Sequence, residues 1–323
     1  MSPWKTILLN AYYGASCPLR WYLGHRAAVA GHMPAVVLFY HRIADDRATP
    51  ETTSNREFRR QIHWLRNHCD LVSLAEVQQR IRTGVNRRPC VSITFDDGYA
   101  ENCDQAIPLL IDEWIPCTYF VTLQNVRDGR PFVHDLVNGN RFPPNTLEQL
   151  RAMAAGGIEI GAHGYTHADL GAISNRRQLE YEVVAAGREL AQAVGRRVRY
   201  FAFPFGQMNN LNPAAFAIAR AAGFEGLCSA YGGYNWPGGD AFHFRRVHGD
   251  QDIIHLKNWV TLDPRKLLGD ARRLHEEQAL TAAEQWQAEI APPPCGAASD
   301  DVALGVASLC AQNRVVMAPL LKG

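Results

Sequence analysis

Short apolar runs alternate along the chain with longer stretches in which apolar residues recur every three or four positions. Apolar runs bounded by turn residues are typical of buried strands, whereas the longer spacing is typical of amphipathic helices. The runs predict seven strands, near residues 35–41, 69–73, 90–95, 116–122, 157–162, 198–203 and 225–231. The helical spacing predicts helices between them, at 55–68, 74–83, 101–113, 145–155, 174–194 and 213–222.

The regular exchange of strands and helices predicts an α/β fold with a parallel sheet. Seven strands joined by helices favour a distorted (β/α) barrel, and an open doubly wound sheet is the alternative. The turn-rich stretch 123–145 predicts irregular surface chain above the barrel. The same pattern divides the chain into an N-terminal amphipathic segment (1–33), a central α/β domain (34–262), a helical extension (263–291) and a disordered tail (292–323).

The composition indicates a folded protein and argues against a nucleic-acid partner. With 47% hydrophobic residues among 323, the chain can bury a substantial core. Its 33 basic and 32 acidic residues leave a net charge of +1, so no bulk field attracts nucleic acid, and we predict no nucleic-acid partner. The eight cysteines contain no Cys-x-x-Cys pair, which indicates reduced, buried thiols and favours a cytoplasmic setting.

The amphipathic segment 1–33 has two interpretations. Its apolar residues are interrupted too early for a signal peptide, and no window reaches the length of a membrane-spanning helix. Aromatic residues such as Trp4 and Trp21 stand near Lys5 and Arg26, as in helices that lie on a membrane surface. The alternative is a helix packed on the domain. The predicted location is therefore cytoplasmic or peripheral to a membrane.

Three polar motifs directly follow predicted strands. They are Thr94-Phe95-Asp96-Asp97-Gly98-Tyr99, His163-Gly164-Tyr165-Thr166-His167 and Phe203-Pro204-Phe205-Gly206. The carboxyl ends of parallel strands meet at one mouth of a barrel, and α/β barrels assemble their sites there from several strands. We therefore expect the polar groups of the three motifs to lie close together.

The first two motifs contain the donor atoms of a hydrolytic metal site. One carboxylate and two imidazoles suit a divalent metal such as zinc and leave coordination positions open, and Asp97, His163 and His167 supply that set. Asp96 and Asp97 are neighbours, so both cannot easily bind one ion, and the natural division makes one a ligand and the other a base. Without the histidines, the pair would be an ordinary Asp-Asp-Gly turn after a strand.

These motifs resemble those of the polysaccharide deacetylase family, the NodB-homology group within carbohydrate esterase family four. The motif that contains Asp96 is similar to the first motif of that family, and the motif that begins at His163 to its second. Phe39-Tyr40-His41-Arg42 resembles its first strand, and Phe201-Ala202-Phe203-Pro204-Phe205-Gly206 is more like the branch acting on poly-N-acetylglucosamine and other exopolysaccharides. The resemblance covers roughly residues 34–260 and makes 34–262 the catalytic domain.

The resemblance implies a metal-dependent hydrolase that removes N-acetyl groups from an N-acetylhexosamine-containing polysaccharide or glycoconjugate. Asp97, His163 and His167 would bind the metal, commonly Zn²⁺, whose bound water would be the nucleophile, and Asp96 would be the catalytic base. The backbone N–H of Phe205 would hold the oxyanion. The alternatives are a deformylase or deacetylase of a lipid-linked or small sugar amide, and a carbohydrate-binding relic without catalysis.

The chain departs from the family pattern at two points. Ala202 stands where many members carry an arginine, and we hypothesise that Arg246, after the last predicted strand, supplies the cation beside Asp96. A structural arginine is the alternative. The late Leu-x-His motif, the usual source of the general acid, has no convincing match, and His248 is the nearest candidate, with His255 behind it.

Three further residues are expected near the mouth. His41 ends the first predicted strand and either supports the ligands or lies in the core. Tyr99 either lines the cleft or packs in the core, and Pro204 is expected at the cleft or directly behind it. The predicted partner is a glycan or glycoconjugate substrate.

Overall fold

The computed structural model describes residues 3–249 and 252–270. Within these residues the strands are β1 (Ala35–Tyr40), β2 (Arg42–Ile43), β3 (Thr52–Thr53), β4 (Asp70–Leu71), β5 (Cys90–Phe95), β6 (Cys117–Val121), β7 (Glu159–Ala162), β8 (Tyr200–Ala202), β9 (Gly226–Ser229) and β10 (His243–His248). The α-helices are α1 (Pro3–Ala30), α2 (Asn55–His68), α3 (Leu74–Thr83), α4 (Ala106–Asp112), α5 (Leu123–Asp128), α6 (Val133–Val137), α7 (Leu147–Ala155), α8 (Arg176–Glu180), α9 (Ala186–Val194), α10 (Pro213–Ala221) and α11 (Ile253–Val260). A π-helical segment, Tyr181–Ala185, joins α8 to α9.

Seven parallel strands close into a barrel in the order β1, β10, β9, β8, β7, β6, β5, because β5 pairs back to β1 along its whole length. The predicted distorted (β/α) barrel is therefore confirmed, and the open doubly wound sheet is wrong. β4 lies outside this ring, since it pairs only with the first two residues of β5. The strand predicted at 69–73 is thus a two-residue addition to the barrel rather than one of its members.

The seventh barrel strand is β10, which the hydrophobic pattern does not predict. It pairs with β9 on one side and with β1 on the other, and so completes the ring. Its sequence, His243-Phe244-Arg245-Arg246-Val247-His248, holds two arginines and two histidines and therefore shows no apolar run. Arg246 lies within this last strand, so its predicted place after the last strand is wrong.

The two faces of the barrel strands belong to different layers of the core. Side chains of one face, such as Val37, Phe120, Tyr200 and Phe244, form an inner cluster that apolar side chains of α3 join. Side chains of the other face pack under the surrounding helices in a larger cluster. Gly161 of β7 leaves room for Phe120, because a Cβ there would approach its ring to 2.4 Å. The barrel interior is therefore filled, and ligands must bind at its mouth.

α1 packs on the domain through one side. Buried Arg20 donates to Asn258 Oδ1 at 2.7 Å and lies 3.3 Å from a carboxylate oxygen of Asp263. Tyr12 donates to the same carboxylate at 2.8 Å. The segment 1–33 therefore contains a helix packed on the domain. Among the described helices, none combines the length and the apolar character needed to cross a bilayer.

The sequence predicts irregular chain for the stretch 123–145, and this prediction is wrong. The stretch contains the two short helices α5 and α6. Helices of six and five residues are too short to show an apolar period, so the turn residues mislead the prediction. In the helical extension predicted at 263–291, residues 264–270 are helical. Residues 271–291 and the tail predicted at 292–323 lie outside the described residues, and the domain boundaries stay predictions.

Candidate functional site

The mouth of the barrel collects polar groups from five strands. They are His41 after β1, Asp96 and Asp97 after β5, His163 after β7, Phe205 beyond β8, and Arg246 and His248 on β10. Strand pairing continues into two of the motifs, since the Asp96 N–H donates to the Tyr40 carbonyl at 2.8 Å and the His163 N–H to the Val121 carbonyl at 2.9 Å. The three sequence motifs therefore meet at one end of the barrel.

Three possible metal-binding atoms lie close together at the mouth. They belong to Asp97, His163 and His167, and we call these three residues the donor set. Asp97 Oδ1 lies 3.4 Å from His163 Nε2 and 3.2 Å from His167 Nε2, and the three residues offer donor atoms within 4.8 Å of one another. Zinc bonds in a tetrahedral site separate neighbouring ligand atoms by about 3.3–3.5 Å. Asp97 Oδ1 is buried and accepts no hydrogen bond within the described chain, so a cation would satisfy it. The donor set therefore fits a tetrahedral ion such as Zn²⁺.

A backbone carbonyl fixes the tautomer of His163. Its Nδ1 lies 2.9 Å from the Ala202 carbonyl oxygen, which can only accept a hydrogen bond. Nδ1 therefore carries the proton, and the lone pair of Nε2 points toward Asp97. The ring is almost fully buried, so this orientation is held by packing as well as by the hydrogen bond.

The loop that carries His167 is held by a buried carboxylate that the sequence does not single out. Glu182 accepts from the backbone N–H groups of Tyr165 at 2.8 Å and Thr166 at 3.0 Å, and from the Thr166 hydroxyl at 2.6 Å. It lies in the π-helical segment between α8 and α9, and such single turns often occur at functional sites. In the sequence it is one acidic residue of a predicted helix, with nothing to distinguish it from Glu180.

Replacing Glu182 by alanine is expected to weaken Zn²⁺ binding about 10- to 100-fold, because the loop loses three hydrogen bonds and His167 its fixed position. Glu182→Gln keeps a carbonyl oxygen for the two backbone N–H groups, and it should bind within about threefold of the unmodified protein. Competition with a chromophoric zinc chelator measures both. Glu180→Ala, which removes a surface carboxylate paired with Arg176, is the matched control. Equal affinities of the two alanine variants would contradict the positioning role.

Backbone strain is concentrated at these motifs. Among the described residues, five other than glycine have positive φ, and three of them are Asp97 (70°), His167 (63°) and Phe205 (61°). Left-handed backbone is unfavourable for residues with a Cβ, and it persists only where the surroundings enforce it. Each of the three motifs contains one such residue. The surrounding fold therefore enforces a strained turn in each motif at the mouth of the barrel.

Arg246 and Asp96 form a buried, two-pronged ion pair. Two guanidinium nitrogens donate to the two carboxylate oxygens at 2.6 and 2.8 Å. Arg246 Nε donates to the Ser229 carbonyl at 3.0 Å, and a terminal nitrogen also donates to the Thr94 hydroxyl at 3.1 Å. The guanidinium carbon lies 4.8 Å from the centre of the Phe39 ring. A guanidinium fixed on several sides holds the carboxylate in a single orientation.

Both aspartates are held in the ionised form. Burial raises the pKa of Asp96, but the charge of Arg246 and nearby imidazoles oppose it, and the pKa lies below its ordinary value. Burial also raises the pKa of Asp97, and the His163 and His167 imidazoles more than offset that effect, so this pKa lies well below its ordinary value. Two carboxylates in such different surroundings can divide the work of ligand and base.

Two imidazoles outside the donor set also stand at the mouth. His41 contributes to the lowered pKa of both aspartates, and its ring centroid lies 5.5 Å from that of His248. His248 is partly buried against Phe39, at 4.6 Å between ring centroids. His255 lies in α11, near Lys266. The fold thus brings His41 and His248 together beside the aspartates, and it keeps His255 on a different element.

A further histidine reaches the site from the stretch 123–145, where the sequence predicts no functional residue. His134 Nε2 lies 3.9 Å from Asp97 Oδ2 and 2.9 Å from the Tyr99 hydroxyl. Tyr99 is buried and donates to Asp135 at 2.8 Å, so it anchors α6 instead of lining an open cleft. Burial raises the pKa of Tyr99, and Asp97 and Asp135 raise it further, so the phenol stays protonated.

The third motif forms a tight turn beside the donor set. The Gly206 N–H donates to the Pro204 carbonyl at 2.6 Å, and the Phe205 ring, half exposed, lies 4.9 Å from the His167 ring. Within the described residues the Phe205 N–H donates to no acceptor. Pro204 is buried against Gly164, where a Cβ would come within 3.2 Å of the proline ring. The motif therefore offers the mouth an unused donor and an exposed aromatic ring.

Comparison with known proteins shows which family this chain resembles. Residues 83–227 match the family model described as polysaccharide deacetylase. YxkH of Bacillus subtilis, provisionally named a polysaccharide deacetylase, is 24% identical over 54% of this chain and 57% of its own length. The chitooligosaccharide deacetylase of Sinorhizobium fredii is 31% identical over 36% of this chain and 47% of its own length. The chain thus spans about half the length of these curated relatives.

A solved structure supports the same assignment. That of IcaB from Ammonifex degensii has a TM-score of 0.61 and 26% sequence identity to this chain, and the match covers 71% of this chain and 97% of that one. The three polar motifs all lie within the residues that match the family model. Residues 83–227 are therefore similar to the polysaccharide deacetylase family.

Proposed function

We propose that this chain is a metal-dependent hydrolase that removes N-acetyl groups from an N-acetylhexosamine-containing polysaccharide or glycoconjugate. The observation that carries the proposal is the buried carboxylate of Asp96, held by Arg246 next to the donor set that includes Asp97. A chitooligosaccharide deacetylase and a structure of IcaB among the similar proteins support it. Asp96 argues against a carbohydrate-binding relic, since binding alone needs no base.

Asp97, His163 and His167 would hold the metal, and Zn²⁺ is the proposed ion. When bound, it would act as a Lewis acid and lower the pKa of coordinated water to about 7. The Ala202 carbonyl keeps His163 in the tautomer whose Nε2 can bind a metal. Glu182 keeps the loop of His167 in place through its hydrogen bonds to two backbone N–H groups.

Asp96 is the proposed base. Its lowered pKa keeps it ionised at neutral pH, and the Arg246 fork fixes its orientation, so it can take a proton from water without rearranging. A positioned acid or base contributes about 10²–10⁴ in rate. His248 is the proposed acid for the departing amine, with His41 as its neighbour. The Phe205 N–H is the proposed donor to the oxyanion that develops from the acetamide carbonyl.

The extent of the domain and its location are also proposals. The catalytic domain would run over 34–262, since β1 begins at Ala35 and α11 ends at Val260. The described cysteines are all free thiols, and burial raises the pKa of Cys90 to about 11, so it remains an unreactive thiol. Free buried thiols support a cytoplasmic or membrane-peripheral location.

Acetate release from N-acetylglucosamine oligomers tests the function. Protein stripped of metal is expected to be inactive and to release acetate once Zn²⁺ is restored. Enzyme-coupled detection of acetate, with formate measured in parallel on an N-formylated sugar, separates the rival substrates. Formate release without acetate release would identify a deformylase. Glycan binding by the metal-free protein, with neither product formed after reloading, would identify a binding relic.

A further inference from the structure

The outer side of α1 exposes large apolar side chains along its length. Trp4, Leu8 and Val29 are 73%, 66% and 65% exposed, and Ile7, Leu19, Trp21 and Tyr22 are 48–70% exposed. Seven of the fifteen exposed large hydrophobic side chains of the described residues therefore lie on this one helix. Soluble monomeric proteins rarely leave a contiguous apolar patch uncovered unless an interaction uses it.

Six of these side chains form one stripe. A helix turns by about 100° per residue, which places them within a sector of about 120°. They are Trp4, Ile7, Leu8, Leu19, Tyr22 and Val29, and we call this set the α1 stripe. Arg20, whose buried side chain binds Asn258 and Asp263, lies on the opposite side of the helix. The α1 stripe therefore faces away from the barrel.

The charge of α1 indicates which partner the stripe suits. Its 28 residues contain no aspartate or glutamate, and Lys5 and Arg26 stand near its two ends. The Arg26 guanidinium lies 5.8 Å from the ring of Tyr22, within the stripe. Tryptophan and tyrosine rings prefer the boundary between lipid headgroups and acyl chains, and neighbouring cations prefer anionic headgroups. A second copy packed antiparallel on the stripe would instead bring like charges together.

An apolar cleft adjoins this surface. It has a volume of about 400 Å³, lies between α1, α2 and the end of α11, and is lined by residues that include Tyr13, Cys17, Trp21, Trp64 and Leu262. Trp21 is exposed at its border, with its indole stacked on His25. The mainly apolar lining suits an acyl chain better than a sugar.

We propose that α1 docks this protein on an anionic lipid surface. The helix, about 42 Å long from its 28 residues, would lie in the plane of the membrane with the α1 stripe at the boundary of headgroups and acyl chains. The packed side of the helix would keep its contacts with the domain. The proposal uses only α1 and its neighbours, so it does not depend on the proposed deacetylase activity.

Sedimentation with lipid vesicles tests the proposal. The full-length protein is expected to pellet with vesicles of phosphatidylcholine and phosphatidylglycerol at about 7:3, and less with phosphatidylcholine alone or at high salt. Leu8→Glu combined with Tyr22→Glu is expected to lower the partition coefficient at least about tenfold. Trp114→Glu is the matched control, because Trp114 is 91% exposed beyond α4, and it should pellet like the unmodified protein.

Three results would overturn the docking proposal. The unmodified protein could stay in the supernatant with the anionic vesicles, or the double variant could pellet as fully as Trp114→Glu. The third is a dimer in gel filtration that the double variant makes monomeric without any vesicle binding, which would assign the α1 stripe to a second copy of the chain. If the glutamate variant does not fold, Leu8→Ser with Tyr22→Ser removes the apolar groups without adding charge, and it should weaken binding in the same direction.

Discussion

Asp97→Asn is expected to lower the affinity for Zn²⁺ by at least about 100-fold and to reduce acetate release to background when no metal is added. Asp97 is the one anionic member of its donor set, and an amide oxygen is a much weaker zinc ligand than a carboxylate. Asparagine is the suitable replacement because Asp97 has a φ of 70°, a backbone region that asparagine tolerates. Calorimetric titration with Zn²⁺ measures the affinity.

Asp135→Asn is the matched control for that variant. Asp135 is a buried carboxylate of the same mouth, bound by the Tyr99 hydroxyl at 2.8 Å, and it lies outside the three-atom donor set. It should bind Zn²⁺ within about threefold of the unmodified protein, because Asp135 supplies none of the three donor atoms. Excess Zn²⁺ should restore part of the activity of Asp97→Asn, because Asp96 is intact. Equal affinities of the two variants would place the metal elsewhere.

The donor set could be predicted from the sequence, because each of its residues lies in a short motif that directly follows a buried apolar run. Asp96, Asp97 and His163 directly follow the buried runs that become β5 and β7, and His167 follows in the same turn-rich motif. Parallel strands deliver their carboxyl ends to one mouth, so strand assignment alone brings these residues together. The same reasoning gives the barrel, since helical crossovers between buried strands enforce parallel pairing.

The residues that support the donor set could not be predicted from local sequence patterns. Glu182 and His134 reach the motifs from a helix and from the stretch 123–145, through contacts that no local period reports. The hydrophobic pattern does not predict β10, because only Phe244 and Val247 of its six residues are apolar and Arg246 is a buried charge that pairs with Asp96. A buried charge is tolerable only with a partner, and the partner, Asp96, lies 150 residues away.

One departure from the family pattern, the alanine at position 202, has a structural explanation. Ala202, which stands where many members carry arginine, belongs to the inner cluster of the barrel and uses its carbonyl to orient His163. The cation beside Asp96 comes instead from β10, where Arg246 extends across the barrel interior to Thr94 and Asp96. The chain therefore separates two tasks, because β8 orients the His163 ring and β10 supplies the positive charge beside Asp96.

Arg246→Met is expected to destabilise the fold by about 3–5 kcal/mol at neutral pH, because it leaves the Asp96 carboxylate buried without its partner. Methionine keeps much of the apolar length of the side chain, so the packing of the barrel changes little. The value of kcat/KM for acetate release should also fall about 100-fold or more, since the carboxylate loses its fixed orientation. Urea unfolding measures the first effect and acetate release the second.

The pH dependence of the same variant has a definite sign. In the unmodified protein the pKa of Asp96 is lower in the folded state than in the unfolded state, where it is about 3.9. The ion pair therefore contributes stability above that pH, and the contribution is lost as the pH falls through the folded pKa. In Arg246→Met burial dominates and raises the pKa. Its stability deficit should be largest at neutral pH and shrink toward pH 4, and the acid limb of kcat/KM should move to higher pH.

Adding Asp96→Asn to Arg246→Met removes the buried charge as well, so the double variant should recover most of the stability and none of the activity. Arg245→Met controls for the loss of a buried arginine in the same strand. Arg245 donates to the Tyr234 carbonyl at 3.3 Å, so its loss should cost stability and leave the acid limb of kcat/KM unmoved. If Arg246→Met keeps the turnover and the acid limb of the unmodified protein, Arg246 is a structural arginine and Asp96 works without it.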